Sequence, residues 1–184
     1  TYYPKKEYWV DLLSRMQRKP GFSDRLVLDT YRLSLATGSM SSASDFMEMS
    51  QLALQAGHEL EAKQVVDKGF ATGVLGTGAE ADRHKRLRDL VMKRIDEAKA
   101  ARAAAESEAN AAKDGNALVS LGFSTALGGD SAKGLQMMQQ GNAKGSLKRP
   151  EDAKLHLGVA QVMAGDAKAQ ATLKSVGGAD GTAD

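Results

Sequence analysis

Apolar residues recur along most of the chain at the three- and four-residue spacing of amphipathic helices. The first stripe consists of Trp9, Leu12, Leu13 and Met16, and glycine or proline follows this and later stripes. Glycine and proline at such places end helices and form tight turns. The pattern therefore predicts an all-α fold built from antiparallel helical hairpins, at about residues 7–37, 43–71, 116–145 and 151–176.

One segment interrupts the hairpins, because residues 79–113 contain neither glycine nor proline. This segment predicts a single long helix near the middle of the chain. Its first half carries Leu87, Leu90, Val91 and Ile95, whereas its second half offers a neighbour only alanines. Alanine favours a helix but provides little apolar area for packing. We therefore expect the second half to be thinly packed or to project.

Two short motifs recur at a fixed distance in the second half of the chain. Leu121-Gly122 with Gly129-Asp130 returns thirty-six residues later as Leu157-Gly158 with Gly165-Asp166. Gly57 precedes Gly129 by twice that distance, so the long helix takes the place of one intervening unit. Self-similarity at a period of about 20–50 residues is typical of a helical repeat array.

In this register the chain resembles the tetratricopeptide repeat family, especially its bacterial members, and the related SEL-type repeats. The family has a small residue in the first helix of each hairpin, matched by Ser50, Gly122 and Gly158. Its second small position is matched by Ala62 and Gly134. The departures are Gln170 at that second position and Lys154 at the large apolar position early in the last hairpin.

The resemblance implies a right-handed α-α superhelix, or solenoid, forming a single helical-repeat domain over residues 1–176, with a flexible tail at 177–184. It also implies a non-enzymatic scaffold that binds a peptide or partner protein in its concave groove. Family precedent places residues of the first helices on that concave wall. The candidate groove residues are Met47, Gln51, Gln55, Ser120, Phe123, His156, Val159 and Met163.

Composition constrains the partner and the compartment only weakly. The formal net charge of +2, from 25 basic and 23 acidic residues, provides no general attraction to nucleic acid or anionic membranes. Cysteine is absent, which excludes disulfides and cysteine-type zinc sites. No apolar run approaches the ~18–20 residues of a membrane span. We expect a soluble chain, either cytoplasmic or a fragment of an exported, signal-cleaved parent.

Two alternatives to the peptide-binding scaffold remain open. A basic cluster at the start of the long helix, in residues 83–94, provides a candidate surface for nucleic acid or another polyanion. Its members are Arg83, Lys85, Arg86, Arg88, Lys93 and Arg94. Acids resume nearby and no aromatic residues are interleaved for base stacking, so a solvated helix face is favoured. The second alternative is self-association through exposed terminal repeat faces, giving a homo-oligomer.

No catalytic, metal or cofactor constellation emerges from the motifs. Gly76-Thr77-Gly78 opens onto a helix with dinucleotide-loop spelling, but no strand precedes it as that loop requires. Asp152 and His156 lie one helical turn apart and amount to two metal ligands, where structural sites need about four. No serine lies in a nucleophile elbow. The sequence thus predicts neither an enzyme nor a bound cofactor.

Overall fold

The computed structural model describes residues 5–178, and all regular elements within that range are helical. The helices are α1 (Lys6–Gln17), α2 (Val27–Ala36), α3 (Ala43–Gln55), α4 (Glu59–Ala71), α5 (Ala81–Ala111), α6 (Asn116–Leu127), α7 (Ser131–Lys144), α8 (Pro150–Ala164) and α9 (Ala169–Lys174). A short 3-10 turn, Asp24–Leu26, precedes α2. The predicted all-α class is confirmed. The expected flexibility at 177–184 falls mostly on residues 179–184, which, like residues 1–4, lie outside the described range.

Helix ends follow the capping chemistry of the sequence. Ser42 and Asp45 form a capping box at the start of α3, with each side chain bonded to the backbone of the other. Pro150 occupies the first turn of α8, where its missing N–H has no helical partner. Gly165 ends that helix at φ 68°, in the left-handed region that glycine enters without strain. These local signals place the turns between packed helices.

Neighbouring helices pack in the pairs α1–α2, α3–α4, α6–α7 and α8–α9. The pairs meet one another through α2–α3, α4–α6 and α7–α8. At the α4–α6 junction, Gln64 Nε2 donates to the Leu127 carbonyl at 3.1 Å and Ser124 Oγ donates to the Gly57 carbonyl at 3.0 Å. The long helix therefore does not separate these pairs, although its place in the thirty-six-residue register predicts that it would.

Helix α5 instead runs beside that junction and packs against α3, α4 and α6. Its first half is anchored by the buried Leu87, Val91 and Ile95, while Leu90 is exposed. In its second half only Ala109 is buried. The Lys144 ammonium of α7 donates to three carbonyls at the end of α5, a favourable interaction at a helix C-terminus. The second half is thus thinly packed but held at its far end.

The closest helix contact joins α6 to α7. A Cβ atom added at Gly122 would lie 2.7 Å from the carbonyl oxygen of Gly134, and one added at Gly134 would lie 2.5 Å from that of Gly122. A Cβ at Gly115 would lie only 1.8 Å from the Gly141 carbonyl oxygen. Since real Cβ atoms do not approach backbone this closely, the two helices touch through their main chains. The small residues at positions 122 and 134 are therefore a packing requirement.

Two main apolar clusters form the core of the described residues. The first joins α3, α4 and the first half of α5 around Met49, Val65 and Val91. The second joins α6, α7 and α8 around Phe123, Met138 and Ala160. The second cluster forms the floor of the candidate functional site.

Candidate functional site

The eight predicted groove residues do not share one groove. Ser120, Phe123 and His156 line the same cleft, whereas Gln51 and Gln55 line a separate one against α5. The other three lie as follows: Met47 is buried in the first apolar cluster, Val159 packs against the second, and Met163 is exposed near the end of α8. Met47 and Phe123 are 6% and 2% exposed, so the expectation that they present an open wall is wrong.

The side chain of Arg32, which extends from α2, covers one face of Phe123. The Arg32 guanidinium of α2 lies 5.0 Å from the centroid of the Phe123 ring, within the range of a cation–π contact. The same guanidinium forms a bidentate pair with Glu61 of α4, with N–O distances of 2.7 and 2.8 Å. Arg32 also pairs with Asp29 at 2.7 Å. Arg32, which belongs to the α1–α2 pair, thus contacts both the α3–α4 pair and the α6–α7 pair.

Two further contacts tie the α2 region to α8. Arg25, in the 3-10 turn, forms a two-pronged pair with Asp152 at 2.7 and 3.3 Å. Asp29 lies 3.4 Å from Nε2 of His156, whose ring stacks on Phe123 with centroids 4.2 Å apart. Asp152 and His156, the two residues that the sequence offers as metal ligands, are therefore both in contact with other side chains. Within residues 5–178 no group of three or more histidine, aspartate or glutamate side chains is placed to hold a metal ion.

The charges in this network fix the ionisation of its members. Burial alone would raise the pKa of Asp29, but the hydrogen bond and charge of His156 and the Arg32 charge hold it below its ordinary value. Burial would lower the pKa of Arg32, and the paired Glu61 and Asp29 carboxylates raise it instead. Burial, together with the Arg32 charge, lowers the pKa of His58 to about 3. His58 is therefore neutral at physiological pH.

The cleft beside this network, which we term the α6–α8 cleft, has a volume of about 670 Å³. It is lined by Ala56, His58, Asn116, Val119, Ser120, Phe123, Leu147, Lys148, Arg149, Asp152, Ala153 and His156. Its floor is apolar, and its size falls within the 300–1,000 Å³ typical of ligand sites. Lys148 and Arg149 are exposed on its rim and form no ion pair within the described residues. Asp152, the one acidic lining residue, is already paired with Arg25, so the lining carries an excess of positive charge, which the nearby Asp114 carboxylate offsets in part at Lys148.

The rim is held in a defined conformation. Asn116, at the start of α6, accepts from the Lys148 N–H at 2.9 Å and donates to the Ser146 carbonyl at 3.2 Å. Gly115 N–H donates to the Gly145 carbonyl at 2.9 Å. Ser146 has φ 52°, the single non-glycine residue of the described range in the left-handed region. Such strain is maintained only where surrounding contacts enforce it, and here Asn116 supplies them.

One imidazole that lines this cleft, that of His58, has no hydrogen-bond partner within the described residues. His58 is 7% exposed, and its ring meets Phe123 edge-on with centroids 5.6 Å apart. Its Nδ1 is buried and forms no hydrogen bond in the part of the chain that the structure describes. Residues 5–178 also supply no partner for Nε2, which is not among the atoms fully closed off from solvent. Buried polar groups are normally hydrogen-bonded, so His58 is an exception that calls for an explanation.

The six basic residues of the stretch 83–94 are all exposed, as a solvated face would be. Arg83, Lys93 and Arg94 pair with nearby glutamates, and Arg88 lies 3.9 Å from Asp67 and 5.1 Å from the Phe70 ring centroid. Within residues 5–178 only Lys85 and Arg86 of this set lack an ion pair. Most of the positive charge there is thus already balanced by acids.

The glycine-rich loop before α5 has a structural role. His84, which is buried, accepts a hydrogen bond at Nδ1 from the Gly76 N–H at 3.1 Å. Leu75 is buried in the first cluster, and a Cβ at Gly76 would lie 2.6 Å from the Phe70 ring. The loop is fastened onto the helices next to it. His58 and His84 are both buried.

A second hollow of about 510 Å³ lies where α5 crosses the α4–α6 junction. Its walls include the small side chains Ala98, Ala101 and Ala105 of α5, with Leu60 and Leu121 opposite. Arg102 closes one side by donating to Thr125 and Glu106, both at 2.7 Å. Arg102 and Lys133 pair with Glu106, and the remaining charged lining residues include both Glu59 and Lys99, so this hollow gives no indication of the charge of a ligand.

No protein-family model, curated protein or solved structure matches the chain. No helix in residues 5–178 is long and apolar enough to cross a membrane. The candidate site therefore stands on its own geometry.

Sequence reasoning missed most of the side chains that make this site. Asp29, Arg32 and Glu61 carry no local sequence signal, because the Arg32–Glu61 pair joins residues twenty-nine positions apart. Lys148 and Arg149 form a basic pair just before the last predicted hairpin, at about 151–176. Their position on the rim of a cleft depends on the hydrogen bonds of Asn116, a residue that only the fold brings close to them.

Proposed function

We propose that the chain is a non-enzymatic scaffold whose helix pairs form a right-handed superhelix of the tetratricopeptide kind and bind a polypeptide. The binding surface is the α6–α8 cleft, and its occupant is an extended, acidic segment of a partner protein. The observation that carries this proposal is the combination of an apolar floor with an unpaired basic rim at Lys148 and Arg149.

The chemistry of the cleft favours this kind of partner. In an extended segment alternate side chains point to opposite sides, so one set reaches the floor while the other reaches the rim. Apolar side chains would cover Val119 and Ala153, and carboxylates would meet Lys148 and Arg149. Complementary charge at a rim raises the association rate and selects among partners.

The test is selection from a displayed library of random heptapeptides against the whole chain. We expect enrichment of peptides that combine acidic with apolar residues. The selected peptide should bind the variant Lys148→Glu/Arg149→Glu at least about tenfold more weakly, because attraction becomes repulsion. No enrichment, or equal binding to the variant, would overturn the proposal.

A matched control is Lys85→Glu/Arg86→Glu, which makes the same charge change on α5. These two side chains also lack an ion pair within the described residues, and they do not line the α6–α8 cleft. The control should bind the selected peptide as the wild type does. Equal losses in both variants would mean that only net charge matters, which contradicts a site at the cleft.

The same control variant also tests the alternative that the chain binds a polyanion. If the stretch 83–94 binds nucleic acid, a single-stranded oligonucleotide will bind with an affinity that falls steeply with salt, and Lys85→Glu/Arg86→Glu will weaken it. We expect no such binding even at low salt, since most of the patch is paired with acids.

A further inference from the structure

The partner segment can reach one polar group of the α6–α8 cleft that the described residues leave without a hydrogen bond. His58 is 7% exposed at the start of α4 and lines the α6–α8 cleft. Its Nδ1 is buried without a partner, and residues 5–178 provide no bond for Nε2. Because Nε2 is the ring nitrogen that is not closed off from solvent, it is the one that a molecule bound in the cleft can reach.

The position of the ring proton follows from this burial. Burial and the nearby Arg32 charge lower the pKa of His58 to about 3, so one nitrogen carries a proton and the other is bare. Leaving a buried N–H without an acceptor is costlier than leaving a lone pair unused. The proton therefore belongs on Nε2, and the buried Nδ1 is the bare nitrogen. His58 then offers one donor to the cleft.

The donor is fixed in direction. The imidazole packs edge-on against Phe123, which is itself held by the stacked His156 ring, the Arg32 guanidinium and the second apolar cluster. The backbone of His58 is also held, since its N–H donates to the Ala53 carbonyl at 2.8 Å and its carbonyl accepts from the Ala62 N–H at 3.0 Å. A donor whose orientation is fixed restricts the position of its acceptor more strictly than the flexible ammonium group of a lysine does.

We propose that His58 is the specificity-determining residue of the α6–α8 cleft, and that its Nε2–H donates to a side-chain carboxylate of the bound segment. This inference rests on the proposed function and names the group that the site recognises. Lys148 and Arg149 attract acidic segments in general, whereas His58 selects those with a carboxylate at one particular position. A site built around such a donor discriminates against a partner that lacks the acceptor.

The decisive experiment uses the library-selected acidic peptide and two variants at one position. His58→Phe keeps a ring against Phe123 and removes the donor, and we expect the affinity for the peptide to fall about 10- to 100-fold. His58→Gln supplies an amide N–H donor and should retain most of the affinity. Wild-type affinity in His58→Phe would overturn the inference.

Changing the peptide identifies the carboxylate that His58 reads. Each acidic residue of the peptide is replaced in turn by leucine, and binding is measured to the wild type and to His58→Phe. One position should matter strongly in the wild type and little in the variant, which is the signature of a direct pair in a double-mutant cycle. Equal sensitivity of every position in both proteins would contradict a specific contact.

A measurement on the unaltered protein covers the case in which a variant does not fold. Long-range ¹H–¹⁵N spectra of the imidazole should show the Nε2–H form of His58 and a downfield shift of that proton on saturation with the peptide. Unchanged His58 signals at saturation would overturn the inference. If binding is lost in Lys148→Glu/Arg149→Glu but not in His58→Phe, the proposed scaffold function stands and the role of His58 is overturned. A library with no enriched peptide overturns both proposals.

Discussion

The α6–α7 contact and the α2 contact hold the same aromatic residue, Phe123, by different physical means. Between α6 and α7 the main chains touch at Gly122 and Gly134, and no room exists for one more carbon atom. Between α2 and its neighbours the joint consists of charged groups, centred on Arg32 and Glu61. The first contact depends on shape and is insensitive to solution conditions. The second depends on ionisation, so pH and salt act on it.

The largest expected effect is loss of the buried charge pair in the α2 contact. Glu61→Ala leaves Arg32 buried with Asp29 as its remaining carboxylate partner, and we expect the free energy of unfolding to fall by about 3 kcal/mol, the low end for a broken buried pair. Urea denaturation followed by circular dichroism measures it. The control is Glu59→Ala on the same helix, since Glu59 has no ion pair within residues 5–178. A loss no larger than the control's would mean that Arg32 does not hold α2 in place.

The next effect concerns the glycine contact. Gly134→Ala improves helix propensity by about 1 kcal/mol, but the new Cβ meets backbone atoms at 2.5 Å. We expect a net loss of about 1–3 kcal/mol in unfolding free energy, because backbone cannot shift aside cheaply. Gln136→Ala, on an exposed position of α7, serves as the matched control and should be near neutral. A stabilised Gly134→Ala would show that the two helices are farther apart.

Some of this difference was predictable from sequence and some was not. The small residues at 122 and 134 follow from the repeat register, because the close approach of two helices requires small residues at fixed positions in the sequence. Helix α5 likewise lies at Ala81–Ala111, within the predicted 79–113. The register did not show that Phe123 is covered, since that depends on α2, whose Arg32 pairs with a residue twenty-nine positions away. Long-range pairing of charges leaves no periodic pattern in a single sequence.

A pH-dependent effect tests the burial of the His58 imidazole, which packs against Phe123. The pKa of His58 is about 3 in the folded chain and near 6.5 when unfolded, so between these values the unfolded chain binds the extra proton. Stability is therefore full above about pH 6.5 and falls on acidification, by at most about 1.4 kcal/mol per pH unit. In His58→Gln this dependence between pH 6 and 4 should be reduced. Parallel curves for the two proteins, from urea denaturation at each pH, would contradict the burial of an uncharged imidazole.

The lowered pKa of Asp29 acts in the same direction at lower pH. The folded carboxyl is more acidic than the unfolded one, so its contribution is present above the unfolded pKa of about 3.9 and is lost below it. The His58→Gln comparison is therefore best made at pH values above about 4.

The smallest expected effect belongs to the outer pair of the α2 contact. Arg25→Gln removes the partner of Asp152, and since the arginine side chain is 26% exposed we expect a loss of at most about 1 kcal/mol. The loss should shrink in 1 M salt, whereas the effect of Gly134→Ala should not. Thermal melts of both variants at low and high salt make the comparison. Equal salt responses would remove the distinction between the two contacts.

The most direct test of the account is the location of the bound segment. The measurement is a map of backbone amide shifts in the ¹⁵N-labelled chain as the library-selected acidic peptide is added. We predict the largest shifts at Val119, Ser120 and Leu147, which line the α6–α8 cleft. Largest shifts at Gln51 and Gln55, in the separate cleft against α5, would contradict it.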